Sequence, residues 1–208
     1  DSVHFKLFNE ENNIYSDYFQ IIDNVEIREP EEDDWFSDDE EYSSIRIGEQ
    51  FTDVTFTDYN NKEIKLSDYN DEFMFITFIF TRCPIPNMCP AVVANNQYLA
   101  YNFNDNVQFI IISFDYLYDR PEVLKKKYED IQNGYSNIKF LSSYNNFNDL
   151  YKLTTQIDYG FWGVEENNIG HNNVIALIDK NNKILKYYSG FEIEVNDIKK
   201  DIQEIIKN

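Results

Sequence analysis

FITFIFTRCPIPNMCPAVVANNQYLAYNF, residues 75–103, is the stretch that decides the fold. It continues an apolar run, EFMFITFIF (72–80), with no regular polar alternation. A continuous run of this kind suits a strand buried on both faces of a sheet. After it come the chain's two cysteines, Cys83 and Cys89, each followed by a proline. Proline is favoured at the first helical position, where its missing N–H would bond nothing in any case. A helix beginning at Cys89–Pro90 is therefore expected. The cysteine pair sits on the loop where a buried strand gives way to a helix.

Outward from that loop the pattern stays regular. FTDVTFTDYNNKEIKLSDY reads as two short strands joined by a turn at Asn60–Asn61. NVQFIIISFD (106–115) is a second buried strand. In DRPEVLKKKYEDIQNG, Asp119 is expected to cap a helix that Pro121 opens and Gly134 closes. IKFLSS is a short strand and NNFNDLYKLT a short helix. NVIALID (173–179) and KILKYYSG (183–190) flank a hairpin turn, and EVNDIKKDIQEIIKN closes the chain as an amphipathic helix. The order β-β-β-α-β-α-β-α-β-β-α predicts an α/β domain of thioredoxin-like plan, a central mixed sheet flanked by helices. Residues 47–208 are assigned to it.

Residues 1–46 are read as an acidic N-terminal extension, partly disordered or strand-like. They hold 15 acidic and 3 basic side chains and so carry -12 of the chain's net charge of -20. The excess peaks in REPEEDDWFSDDEEYSS, a run that repels itself and stays solvated. VHFKLF and YFQIIDNVEIR have strand-like character. Nucleic acid and anionic membranes are poor partners for such charge. A basic protein surface is the expected one, with Trp35 and Phe36 as apolar anchors. No run approaches the ~20 apolar residues of a membrane-spanning helix, and DSVHFKLFNEENN has no basic-then-apolar signal pattern. Because the chain begins at Asp1, two readings stand: an intracellular protein, or one whose signal or anchor precedes that residue.

The chemistry follows from the loop. A helix N-terminus presents unpaired N–H groups and partial positive charge, which is expected to stabilise a thiolate at Cys89. The thiolate is both a nucleophile and a metal ligand. Three roles are open to the pair: a structural disulfide, a redox-active dithiol and two ligands of a metal. The first is the weakest, since a bridge across so short a loop constrains little chain. Five residues separate the cysteines, more than in Cys-x-x-Cys oxidoreductases. Such a loop permits a disulfide and also lets two sulfurs converge on Cu(I), or on its competitor Zn(II). Two thiolates then need a further ligand. Of the two histidines, His4 lies in the extension without supporting context, and His171 just precedes the buried strand 173–179. In a thioredoxin-like sheet that strand runs beside the one delivering the cysteines, so His171 is placed to face them. Neutral imidazole is a good copper ligand. Met88 is read as packing inward at the helix start. No peroxidatic motif is recognisable.

TFIFTRCPIPNMCP, IISFDYLYDRPEVLKKKY and GHNNVIALIDKNNKILKYYSG resemble, in order, segments of the Sco/SenC family, over a span from about Ile47 to the C-terminus. The resemblance implies a thioredoxin-like fold that binds one copper ion, Cu(I) or Cu(II), through Cys83, Cys89 and His171. It implies a metallochaperone more than an enzyme, with thiol–disulfide reduction by the redox-active pair Cys83 and Cys89 as the alternative. The implied partner is the copper-centre subunit of a respiratory oxidase such as cytochrome c oxidase, or another copper or thiol protein. The implied location is the periplasm or the extracytoplasmic face of a respiratory membrane, the intermembrane space in a mitochondrion, with a membrane anchor before Asp1. Asp115 and Asp119 match the family's acids and are given loop and cap roles. The departure is the loop itself. The usual motif has three residues between its cysteines, and this chain has five. That difference bears on copper affinity and redox potential more than on the fold.

Overall fold

A computed structural model describes residues 7–8, 14–15, 45–103, 106–165, 168–190 and 194–207. The chain divides into two units, Asp1–Asp39 and Glu40–Asn208. In the first, β1 (Leu7–Phe8) pairs antiparallel with β2 (Ile14–Tyr15). His4, YFQIIDNVEIR and the acidic run lie outside the described residues.

The second unit is an α/β domain. Its elements are β3 (Thr55–Asp58), β4 (Glu63–Lys65), β5 (Phe73–Ile79), α1 (Cys89–Asn102), β6 (Val107–Ser113), α2 (Pro121–Gly134) and β7 (Ile138–Ser142). There follow α3 (Phe147–Gln156), β8 (Phe161–Trp162), β9 (Gly170–His171), β10 (Val174–Ile178), β11 (Ile184–Ser189) and α4 (Val195–Lys207). One mixed sheet of seven strands runs in the order β11-β10-β5-β6-β7-β3-β4. β5, β6 and β7 are parallel, and the remaining neighbours are antiparallel. The expected thioredoxin-like plan is present.

The central strands follow from their composition. β5 and β6 have a partner on each side, and nearly every side chain they carry is buried. Phe75 meets Phe109 across the parallel ladder with ring centroids 5.4 Å apart. Tyr128 of α2 stacks on Phe140 of β7 at 4.3 Å and an interplanar angle of 4°. The hairpins are set by short polar side chains. Asp58 accepts the N–H groups of Asn60 and Lys62, and Asn61 takes φ 63°. Asp179 does the same for Asn181 and Lys183, with Asn182 at φ 60°. Asn and Asp tolerate this left-handed conformation better than other non-glycine residues.

Two elements differ from the sequence reading. A short 3-10 helix, Leu66–Tyr69, follows β4. A two-residue hairpin, β8–β9, stands where a loop was expected before β10. Gly163 lies in it at φ 72°, and a Cβ on Gly170 would collide with the Trp162 ring.

Asn137 is a buried polar fastener. Its Nδ2 donates to Ala100 O at 3.2 Å and Val107 O at 3.1 Å, joining the end of α1 to the start of β6. Replacing it with alanine strands buried carbonyls. Asn137→Ala is expected to lower the unfolding free energy by about 2 kcal/mol in urea titrations, with an unchanged m-value.

Candidate metal centre at the cysteine loop

The register of β10 on β5 builds the site. Ala176 lies opposite Ile76 in an antiparallel pair. Continued towards the end of β5, that register brings the segment before β10 alongside Phe80 and Thr81. The His171 ring accordingly lies 6.1 Å, centroid to centroid, from Phe80 and 5.2 Å from Phe114. Tyr159 stacks on its other side at 5.9 Å. A residue 82 positions after Cys89 in sequence is thus set in an aromatic nest beneath the cysteine loop.

Two buried acids fix the root of that loop. Asp119 does not cap α2, whose N-cap is Arg120 with no side-chain capping bond. Its carboxylate turns inward, accepting Thr81 N–H at 2.7 Å and Ser113 Oγ–H at 2.5 Å, with a further bond from Thr81 Oγ1. Burial pushes its pKa up, and these hydrogen bonds offset only part of the rise. Asp115, fully buried, takes a two-pronged bond from Arg82: Nε at 2.9 Å and Nη2 at 2.7 Å from one oxygen. The residues immediately before Cys83 are therefore pinned to the turn after β6. A sequence beginning Asp-Arg-Pro fits a cap equally well, which is why the inward role was not legible.

Both cysteines are free thiols. Cys83 is half-buried, and Cys89 is 3% exposed as the first residue of α1. Residues 84–87 between them are exposed and turn back on themselves, with Met88 N–H donating to Ile85 O at 3.1 Å. The expected low pKa at Cys89 is overturned. Burial pushes its thiol up to about 12, and a hydrogen bond to the Phe80 backbone offsets only part of this. Cys83 is close enough to raise it further, by charge and by hydrogen bonding, while the more distant Lys127 lowers it. The helix N-terminus loses to desolvation here.

The tautomer of His171 is set by its neighbour. Its Nδ1 lies 2.5 Å from Asn172 O, an acceptor only, so Nδ1 carries the proton. The lone pair of the neutral ring then sits on Nε2, which is buried. Burial lowers the pKa of the ring, and the Asn172 bond opposes this only in part, so the ring is neutral at pH 7. Cys89, Met88 and His171 line one cavity of about 80 Å³ between β5 and α1. Cys83 does not line it. Among the described residues no group of three or more His, Cys, Asp or Glu side chains is placed to hold a metal ion. Cys83 and Cys89 are neighbours, and Cys89 and His171 line the same cavity.

Fold and loop together define a thioredoxin-like domain with a dithiol at the end of its central strand. The SCO1/SenC family model matches residues 40–207, and the chain belongs to that family. A SCO1/SenC family lipoprotein from Bacillus anthracis str. Ames has 25% identity and a TM-score of 0.66, over 77% of this chain and 96% of that one. BsSco, described as a member of the Sco family of cytochrome c oxidase assembly proteins with a disulfide switch, has 24% identity and a TM-score of 0.63, over 79% and 97%. Arabidopsis thaliana ScoI, solved with copper bound, has 16% identity and a TM-score of 0.62, over 78% and 100%. No curated protein sequence matches the chain.

The cysteines should be chemically distinct. At pH 8 a thiol with a pKa of about 12 is ionised to only about 1 part in 10,000. Iodoacetamide is expected to modify Cys83 first and Cys89 more than about tenfold more slowly, read by mass spectrometry of the digested protein. Since the folded pKa of Cys89 lies above its unfolded value, its contribution to stability is intact below pH about 9 and is lost as pH rises towards 12.

Proposed function

We propose that this domain binds one copper ion through Cys83, Cys89 and His171. It delivers that ion to the copper centre of a respiratory oxidase, or reduces the cysteines that receive it. The observation that carries the reading is the His171 ring, neutral, with Nδ1 bound to Asn172 O and Nε2 buried on the cavity that Cys89 lines. Two thiols and an imidazole are a soft donor set that suits Cu(I) and also accepts Cu(II). Family membership supports it, as does a relative solved with copper bound.

The surroundings suit a charged cargo. Tyr159 is buried against His171, and its hydroxyl has no hydrogen-bond partner among the described residues. Both cysteines act on its pKa through charge. A sulfur that becomes anionic on binding metal would be a better acceptor for that hydroxyl than a thiol. Closure of the ligand set requires Cys83 to join the pair formed by Cys89 and His171. The exposed segment 84–87 is the part of the loop with room to move. Copper then leaves by ligand exchange to a partner's thiols.

A thiol–disulfide reductase without copper is the second reading. The half-buried Cys83 thiol beside Cys89 favours it, since an accessible nucleophile next to a resolving thiol is what exchange needs. Either activity is placed on the extracytoplasmic face of a respiratory membrane, in keeping with the lipoprotein relative. Residues 1–46 are assigned the role of an acidic segment that docks a basic protein surface.

Copper titration of the reduced protein decides between them. One equivalent is expected to bind, Cys83→Ser and Cys89→Ser should abolish tight binding, and His171→Ala should weaken it by more than about tenfold. Unchanged affinity in His171→Ala would leave only the reductase. Because Cys89 keeps its proton up to about 12, copper must displace it. Affinity should therefore climb about tenfold per pH unit for each proton released, and fall more steeply once His171 is protonated in acid.

A further inference from the structure

Beside the cysteine loop lies an open pocket lined by Thr81, Arg82, Tyr118, Val123, Lys126 and Lys127. It has three cations and no acid among its lining side chains, in a chain of net charge -20. The Arg82 charge is spent on Asp115, and its guanidinium lies 4.6 Å from the centre of the Tyr118 ring. The lysines are different. Both are exposed on α2, and among the described residues neither forms a salt bridge, although Glu122 and Asp130 flank them on the same helix. Lys127 Nζ bonds Thr81 O, two residues before Cys83, and its charge reaches Cys89. Leu117 and Tyr118, on the turn after β6, and Ile85, in the cysteine loop, are large apolar side chains left in solvent at this end of the sheet.

We infer that this patch is a docking surface for a protein partner whose acidic side chains flank its own cysteines. Lys126 and Lys127 attract the acidic face, and Ile85 and Tyr118 supply apolar contact as Cys83 meets the partner's sulfur. In an otherwise acidic domain, such a local field selects partners and orients them as well as attracting them. The inference rests on the reading that Cys83 meets a protein partner, and it holds for either copper transfer or thiol exchange.

The exchange step serves as the reporter. The Cys83 thiolate attacks a disulfide, a Cys83–partner bond forms, the partner's S–S bond breaks, and its second sulfur leaves as a thiolate that takes a proton from water. In the Cys89→Ser background the protein has no second thiol to resolve that mixed disulfide, and acid quenching stops the peptide's own released thiol from reversing it, so its initial rate of formation is read. Two synthetic disulfide-bridged peptides are compared, one with glutamates flanking its cysteines and one with glutamines. Trapping should be faster with the glutamate peptide, and the preference should fade between about 20 mM and 500 mM salt. Lys126→Glu with Lys127→Glu should cut the glutamate-peptide rate about tenfold and change the glutamine-peptide rate by less than about twofold. Lys180→Glu with Lys183→Glu, at the opposite end of β10, makes the same change in net charge and should preserve the preference. Equal rates for the two peptides, or a preference that survives Lys126→Glu with Lys127→Glu, overturns the proposal. Copper titration of the lysine variants with Cys89 intact separates the two questions, because loss of docking with unchanged metal affinity leaves the copper reading standing.

Discussion

The antiparallel register of β10 on β5 is the constraint from which the site follows. Two cysteines at the end of a central strand are a local feature, set by one turn and one helix start. A histidine so far along the chain is not local. It is brought to the end of β5 that carries the cysteine loop because Ala176 pairs with Ile76 and the two strands run in opposite senses, so that one strand's entrance lies beside the other's exit. A slip of one residue would send the side chains of β10 to the wrong face. All five are buried, which makes such a slip costly and holds His171 in place.

Within that frame, desolvation governs the chemistry more than the helix does. The rise of the Cys89 pKa to about 12 is equivalent to roughly 4 kcal/mol against the thiolate. A helix N-terminus offers about 1 kcal/mol in its favour. Cys89 therefore rests as a neutral thiol. Burial also lowers the pKa of His171, so the same dry environment keeps Cys89 and His171 in their uncharged forms.

Much of this was legible in the sequence because it depends on period and punctuation. The apolar runs of β5 and β6, the proline at the start of α1 and the Asx turns of the hairpins each carry a local physical signal. The β8–β9 hairpin carries none, since two-residue strands show no periodicity and are held by Gly163 and Gly170. Asp119 was misread because an aspartate two residues before a proline suits a helix cap. Only the tertiary fold brings Thr81 and Ser113 to it. Arg82 and the aromatic nest of Phe80, Phe114 and Tyr159 were missed for a similar reason. Their roles exist only between elements that are distant in sequence.

The lengthened cysteine loop is best understood through what anchors its two ends. Asp119 and Asp115 fix Thr81 and Arg82 on one side, and the buried first turn of α1 fixes Cys89 on the other. With both ends held, extra residues cannot push the sulfurs apart. They bulge outward instead, and residues 84–87 are exposed with Pro84 and Pro86 limiting their freedom. The cysteines remain neighbours across a five-residue gap. Cys83 stands nearer the exposed segment and outside the cavity that Cys89 and His171 line. Its half-buried thiol is the more accessible of the two. The five-residue loop thus leaves Cys83 as the outer thiol and Cys89 as the inner one.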